Sequence, residues 1–97
     1  MGNPEQTTAH ANCNLVNQHG IHVRTASEIA SLCEQYRAEI IITTEHGCSD
    51  GRDMMRLLML QAKQGTVLEL DAKGSDAETA ISALVALIEA GFPMCEP

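Results

Sequence analysis

"TVLELDA" (66–72) and "GSDAETAISALVALIEAGF" (74–92) are separated by one lysine, and the hydrophobic period changes between them. In the first, Leu68, Leu70 and Ala72 alternate with Val67, Glu69 and Asp71, so an extended strand would have one apolar and one wet face. In the second, Ala77, Ile81, Leu84, Val85 and Ile88 recur at the three- and four-residue steps of a helix. Ser75 and Glu78 have the spacing of a capping box, and Gly91 stands where a C′ glycine ends a helix. Each element has one apolar side and must bury it against another layer. A chain of 97 residues has room for one such core. Its aromatic residues are Tyr36 and Phe92 alone, so the core has to be aliphatic.

The remaining segments supply the partners. "CNLVN" (13–17) reads as a short strand. From Val23 to about Arg37, apolar residues at Ala26, Ile29, Ala30, Cys33 and Tyr36 trace one helical face. "AEIIITT" (38–44) is rich in β-branched residues and reads as a buried strand. "EHGCSDG" (45–51) holds two glycines among turn formers, which suits a hairpin turn and a short return strand. "DMMRLLML" (53–60) has the straight-chain residues of a short helix, and Gly65 ends that connection. The order β-α-β-β-α-β-α predicts an α+β fold, an open-faced two-layer sandwich with three helices on one face of a four-stranded antiparallel sheet.

Charge narrows the function. Six basic against 13 acidic residues give a net charge of −7, which disfavours nucleic acid and anionic membranes as partners. Cys13, Cys33, Cys48 and Cys95 form no CxxC pair and have separations unlike those of zinc sites, so free thiols in a cytoplasmic setting and no metal are expected. The polar start "MGNPEQTT" has no apolar run, so no signal or membrane insertion is expected. Residues 1–10 read as a disordered tail and 11–97 as the folded domain.

"QHGIHVRTASEIA" (18–30) carries the chemistry. The first amides of a helix lack intrahelical partners and sit at the positive end of its dipole. A phosphoryl group there is stabilised without an overall basic protein. A helix starting at Val23 makes His22 its N-cap, with the Val23 and Arg24 amides and the Arg24 guanidinium in reach of an anion on the ring. Histidine is partly neutral near physiological pH and is therefore a competent nucleophile. Gly20 lets the loop turn tightly and leave the ring exposed. His19 is the other candidate, but it lies across the glycine from the helix.

"GIHVRTASEIASL", followed by "DMMRLLMLQAKQGTVLELDAKGSDAETAISALVALIEAGF", resembles the histidine-containing phosphocarrier (HPr) family of the bacterial phosphotransferase system over about residues 12–92. The latter half is most similar to nitrogen-branch members. The family's fold is the β-α-β-β-α-β-α sandwich. The resemblance implies that His22 accepts a phosphoryl group on Nδ1 from phosphorylated enzyme I and passes it to the A component of a permease or to a regulatory homologue. Arg24 would stabilise the bound phosphate, no cofactor would be needed, and a monomer is expected. Met54 and Met55 match the exposed apolar pair that members use for docking, with Arg56 on the rim.

Three departures stand out. Thr25 replaces the family's usual proline, which is expected to loosen the helix start. Asp53 replaces the regulatory serine at the start of the middle helix. It either caps that helix or imitates a phosphoserine. Glu28 and Glu34, on a first helix without lysine, suggest partners other than those of sugar-branch carriers. A regulatory module that binds partners without relaying phosphate is the alternative function, and retention of both His22 and Arg24 weighs against it.

Overall fold

The structure, a computed structural model, describes residues 7–93. Its elements are β1 (Thr8–Asn14), α1 (Val23–Glu34), β2 (Glu39–Thr44), β3 (Gly47–Asp50), α2 (Met54–Met59), β4 (Val67–Lys73) and α3 (Ala77–Glu89). The strands form one antiparallel sheet in the order β1-β4-β2-β3, and the helices cover one of its faces. Among the described residues, no helix is long and apolar enough to cross a membrane.

The alternating strand is the keel of the sheet. Leu68, Leu70 and Ala72 of β4 are buried while Val67, Glu69, Asp71 and Lys73 are exposed, so the period-two pattern sets its register against both neighbours. Ile40 and Ile42 of β2 point into the same core. From above, α3 contributes Ala77, Ala80, Ile81, Leu84 and Ile88, and α1 contributes Ala26, Ile29 and Cys33. Each fully buried Leu or Ile contributes about 1.5–3 kcal/mol of transfer free energy. Burial pushes the thiols of Cys13 and Cys33 up to about 11, so both act as small apolar groups.

Several boundaries differ from the sequence reading. The first strand starts at Thr8, and residues 8–10, expected in the tail, pair with Asp71, Ala72 and Lys73. Its inward positions, Ala9, Ala11 and Cys13, are too small to give a strong apolar signal, and pairing with the well-specified β4 determines the strand. Leu15 is fully buried just beyond it, tied by its N–H to the Thr66 carbonyl (2.9 Å). The first helix stops at Glu34. In α3, Val85 is only half-buried and Ala80 takes the buried place.

The Ser75–Glu78 capping box does not form. Asp76 is the N-cap and makes no side-chain bond to its own helix. Its Oδ2 accepts the Arg37 amide (2.7 Å), and its own amide donates to the Arg37 carbonyl (3.1 Å). This reciprocal pair fastens the α1–β2 connection to the start of α3. At the other end Gly91 takes φ +80° just past the last turn, as expected of a C′ glycine.

Candidate functional site

His22 is the N-cap of α1, with extended backbone (φ −134°, ψ −171°). Its ring is half-buried, and Nδ1 accepts the Arg24 amide at 3.3 Å. The lone pair of Nδ1 is thus aimed at the first turn, where amide protons lack carbonyl partners. That hydrogen bond requires an unprotonated Nδ1, so any ring proton sits on Nε2.

Thr25 locks this geometry. It is fully buried, its Oγ1 accepts the His22 amide (2.9 Å) and donates to the Gly20 carbonyl (3.0 Å), and with the His22 side chain it closes a capping box. The expected loosening at this position is therefore corrected. Two hydrogen bonds fix the helix start that proline would fix through its ring, and the helix begins at Val23 as predicted.

Gly20 holds the approach. It has φ +63°, and a Cβ there would lie 2.2 Å from the Ala62 carbonyl oxygen. Ile21 donates its amide to that same carbonyl (3.0 Å), and Asn17 Nδ2 donates to the Gly20 carbonyl (2.7 Å). The loop bearing His22 is thereby pinned to the segment following α2. It also brings His19 close, with the two imidazole rings edge to face at a centroid distance of 6.2 Å. The sequence places His19 across the glycine; the tight turn folds it back.

The Arg24 side chain runs along α1. Nη1 donates to Glu28 Oε2 at 2.5 Å and to the Phe92 carbonyl at 3.3 Å. Phe92 is held in the left-handed region (φ +55°) with its ring buried, a conformation that costs roughly 1–2 kcal/mol in a non-glycine residue. Burial of the ring offsets that cost, and the resulting bend presents the carbonyl to Arg24. Sequence reasoning missed both partners. Glu28 stands out in the sequence only as a charge bearing on partner choice, although its spacing four residues after Arg24 is that of a helical ion pair.

The α2 residues divide differently from expectation. Met55 is 67% exposed and Met59 71%, one turn apart, whereas Met54 is half-buried against the core. The exposed apolar pair is therefore Met55 and Met59, because Met54 falls on the side that packs beside buried Leu57 and partly buried Leu58. Asp53 caps this helix, its Oδ1 accepting the Arg56 amide (3.0 Å). Arg56 Nε donates to the Cys48 carbonyl (3.2 Å), joining α2 to β3. Val23, 63% exposed, adds another apolar group beside His22. Among the described residues, no group of three His, Cys, Asp or Glu side chains is placed to hold a metal ion.

This is a small α+β sandwich in which a half-buried imidazole caps the first helix, with its Nδ1 turned to the first-turn amides. A family model described as "PTS HPr component phosphorylation site" matches residues 10–90. Phosphocarrier protein HPr of Neisseria meningitidis is 33% identical over 78 residues, 80% of this chain and 88% of that protein. Phosphocarrier protein NPr of Shewanella violacea is 35% identical over 78 residues, 80% of this chain and 86% of that protein. The crystal structure of HPr-C-His from Thermoanaerobacter tengcongensis matches with a TM-score of 0.84 at 28% identity, covering 91% of this chain and 99% of that one. The chain belongs to the HPr family of phosphotransferase-system phosphocarriers and is NPr-like.

Proposed function

We propose that His22 is the phosphoryl acceptor, charged by phosphorylated enzyme I and discharged to the A component of a permease or to a regulatory homologue. The observation that carries this reading is the His22 Nδ1 lone pair, held against the first amides of α1 with Arg24 alongside.

The step follows from that geometry. The Nδ1 lone pair attacks phosphorus in line, an N–P bond forms, and the bond to the donor nitrogen breaks with its electron pair. The Nε2 proton stays on the ring, which becomes a phosphorylated imidazolium and a good leaving group for the next transfer. Phosphoryl oxygens replace Nδ1 as acceptor for the Arg24 amide and take the Val23 amide as well, where the helix dipole stabilises negative charge. The Arg24 guanidinium, in the resting state shared between Glu28 and the Phe92 carbonyl, turns to the phosphoryl group for a charge-assisted contact. Little covalent chemistry is asked of the carrier, and positioning and electrostatics supply the rate.

Exposed Val23, Met55 and Met59 supply the docking surface. Methionine suits a face that must fit a donor and an acceptor in turn. Arg56 is the cation on its rim, and Met54 supports the surface from beneath. The assay is phosphorylation with phosphoenolpyruvate and enzyme I, read as an acid-labile mass adduct of one phosphoryl group. His22→Ala abolishes the adduct and His19→Ala retains it. An adduct that persists in His22→Ala refutes the assignment.

A further inference from the structure

A second polar site lies at the opposite end of α3 from Arg24 and Phe92, roughly 20 Å away along a helix of this length. There a cleft of about 580 Å³ is lined by Arg37, Arg52, Lys73, Glu39, Gly74 and Ser75. Three of the chain's six basic residues meet in it, in a protein with 13 acidic ones. Among the described residues, the ion pairs are His10–Asp71, Arg24–Glu28 and His46–Glu45, and none involves these three.

Two carboxylates of the neighbouring turns, Asp76 and Asp50, are turned to backbone amides. Asp76 Oδ2 accepts the Arg37 amide (2.7 Å) and Asp50 Oδ1 accepts the Arg52 amide (2.8 Å). Arg52 is itself preorganised: Nη2 donates to the carbonyls of Tyr36 (3.2 Å) and Ala38 (3.0 Å). Its guanidinium is thus held in the lining of the cleft, and among the described residues Nε–H and Nη1–H have no acceptor. Grouped cations repel one another, and an anion between them removes that repulsion.

We propose that this cleft binds a small organic polyanion carrying two phosphoryl groups. Two guanidiniums match phosphate oxygens in a way that one ammonium cannot, and Lys73 adds a point charge across the cleft. The volume is in the range of small-molecule sites and exceeds what a single phosphate fills. Glu39, the one carboxylate lining the cleft among the described residues and the register partner of Lys73 across β2 and β4, disfavours ligands richer in charge and is placed to accept a ligand hydroxyl. The site is independent of the His22 chemistry.

The test is an amide chemical-shift titration of the unphosphorylated protein with inorganic pyrophosphate in metal-free buffer at 150 mM NaCl, with citrate as a polycarboxylate control. Saturable shifts are expected at residues 37–39, 52 and 73–76, with citrate at least tenfold weaker. Lys73→Gln, at an exposed strand end, is expected to weaken pyrophosphate binding at least threefold, and Arg52→Gln at least tenfold. Because Arg52 also holds two carbonyls, the Lys73 variant keeps the proposal open to refutation should Arg52→Gln unfold. Shifts centred on His22 and Arg24, no saturation, unchanged binding by Lys73→Gln, or equal binding of citrate would each overturn it.

Discussion

Replacing Thr25 with valine keeps the shape of the side chain and removes only its hydroxyl, so the effect isolates two hydrogen bonds. The His22 amide loses the Oγ1 acceptor at 2.9 Å, and the Gly20 carbonyl loses the Oγ1 donor at 3.0 Å but keeps Asn17 Nδ2 at 2.7 Å. One donor is therefore orphaned beside a fully buried side chain, at a cost of about 1–3 kcal/mol. Taking about 2 kcal/mol, a domain of this size loses roughly 8–16 °C in Tm. Thr25→Ser keeps the hydroxyl and gives up one buried methyl, about 1 kcal/mol. Differential scanning calorimetry gives the two midpoints, and hydrogen exchange at the Arg24 amide reports whether the His22 cap has loosened. A Thr25→Val protein within about 3 °C of the parent, with Arg24 exchange unchanged, would show that these bonds do not set the helix start.

Gly20→Ala meets both a left-handed backbone and the Ala62 carbonyl, so it should cost about 2–5 kcal/mol by urea unfolding, the sum of conformational strain and overpacking; a loss below 1 kcal/mol would contradict the close approach. His10 has its pKa raised above 6.5, chiefly by the hydrogen bond to Asp71 and further by the charges of Asp71 and Glu69, with desolvation opposing. The pair's stabilisation is fully present below pH 6.5 and is lost as pH rises through the raised value; NMR titration should show Asp71→Asn bringing the His10 pKa down, and an unmoved pKa refutes the pairing. Asp53→Asn and Asp53→Ser both keep a capping side chain, so stability should stay within about 0.5 kcal/mol, and a changed transfer rate from enzyme I would then report on the lost charge alone, equal rates excluding a phosphoserine-like role.

Elements whose periodicity was strong were legible in advance. The β4 alternation, the α3 stripe with its Gly91 stop, the β-branched run of β2 and the start of α1 at Val23 all follow from local patterns. So does the placement of His22 as the cap of α1, whereas the bond from the Arg24 amide to the bare ring nitrogen came only with the structure. The first strand was misplaced because alanine and cysteine bury too little area to mark a face by themselves. Ser75 and Glu78 fit a capping box by spacing, but Asp76 had a competing amide at Arg37 that no local pattern reveals.

Hydrophobic period and helix-end chemistry act over a few residues, so the order of elements and the identity of the capping histidine are written in the chain itself. Everything that depends on residues far apart in sequence waited for packing. Arg24 meets Phe92, 68 residues on, only because α3 lies against α1. Met59 rather than Met54 faces outward because the rotation of α2 is set by Leu57 entering the core. Arg37, Arg52 and Lys73 share a cleft because two loops and a strand end converge on the start of α3. Local rules choose the elements, and the requirement that every apolar face find cover chooses which side chains meet.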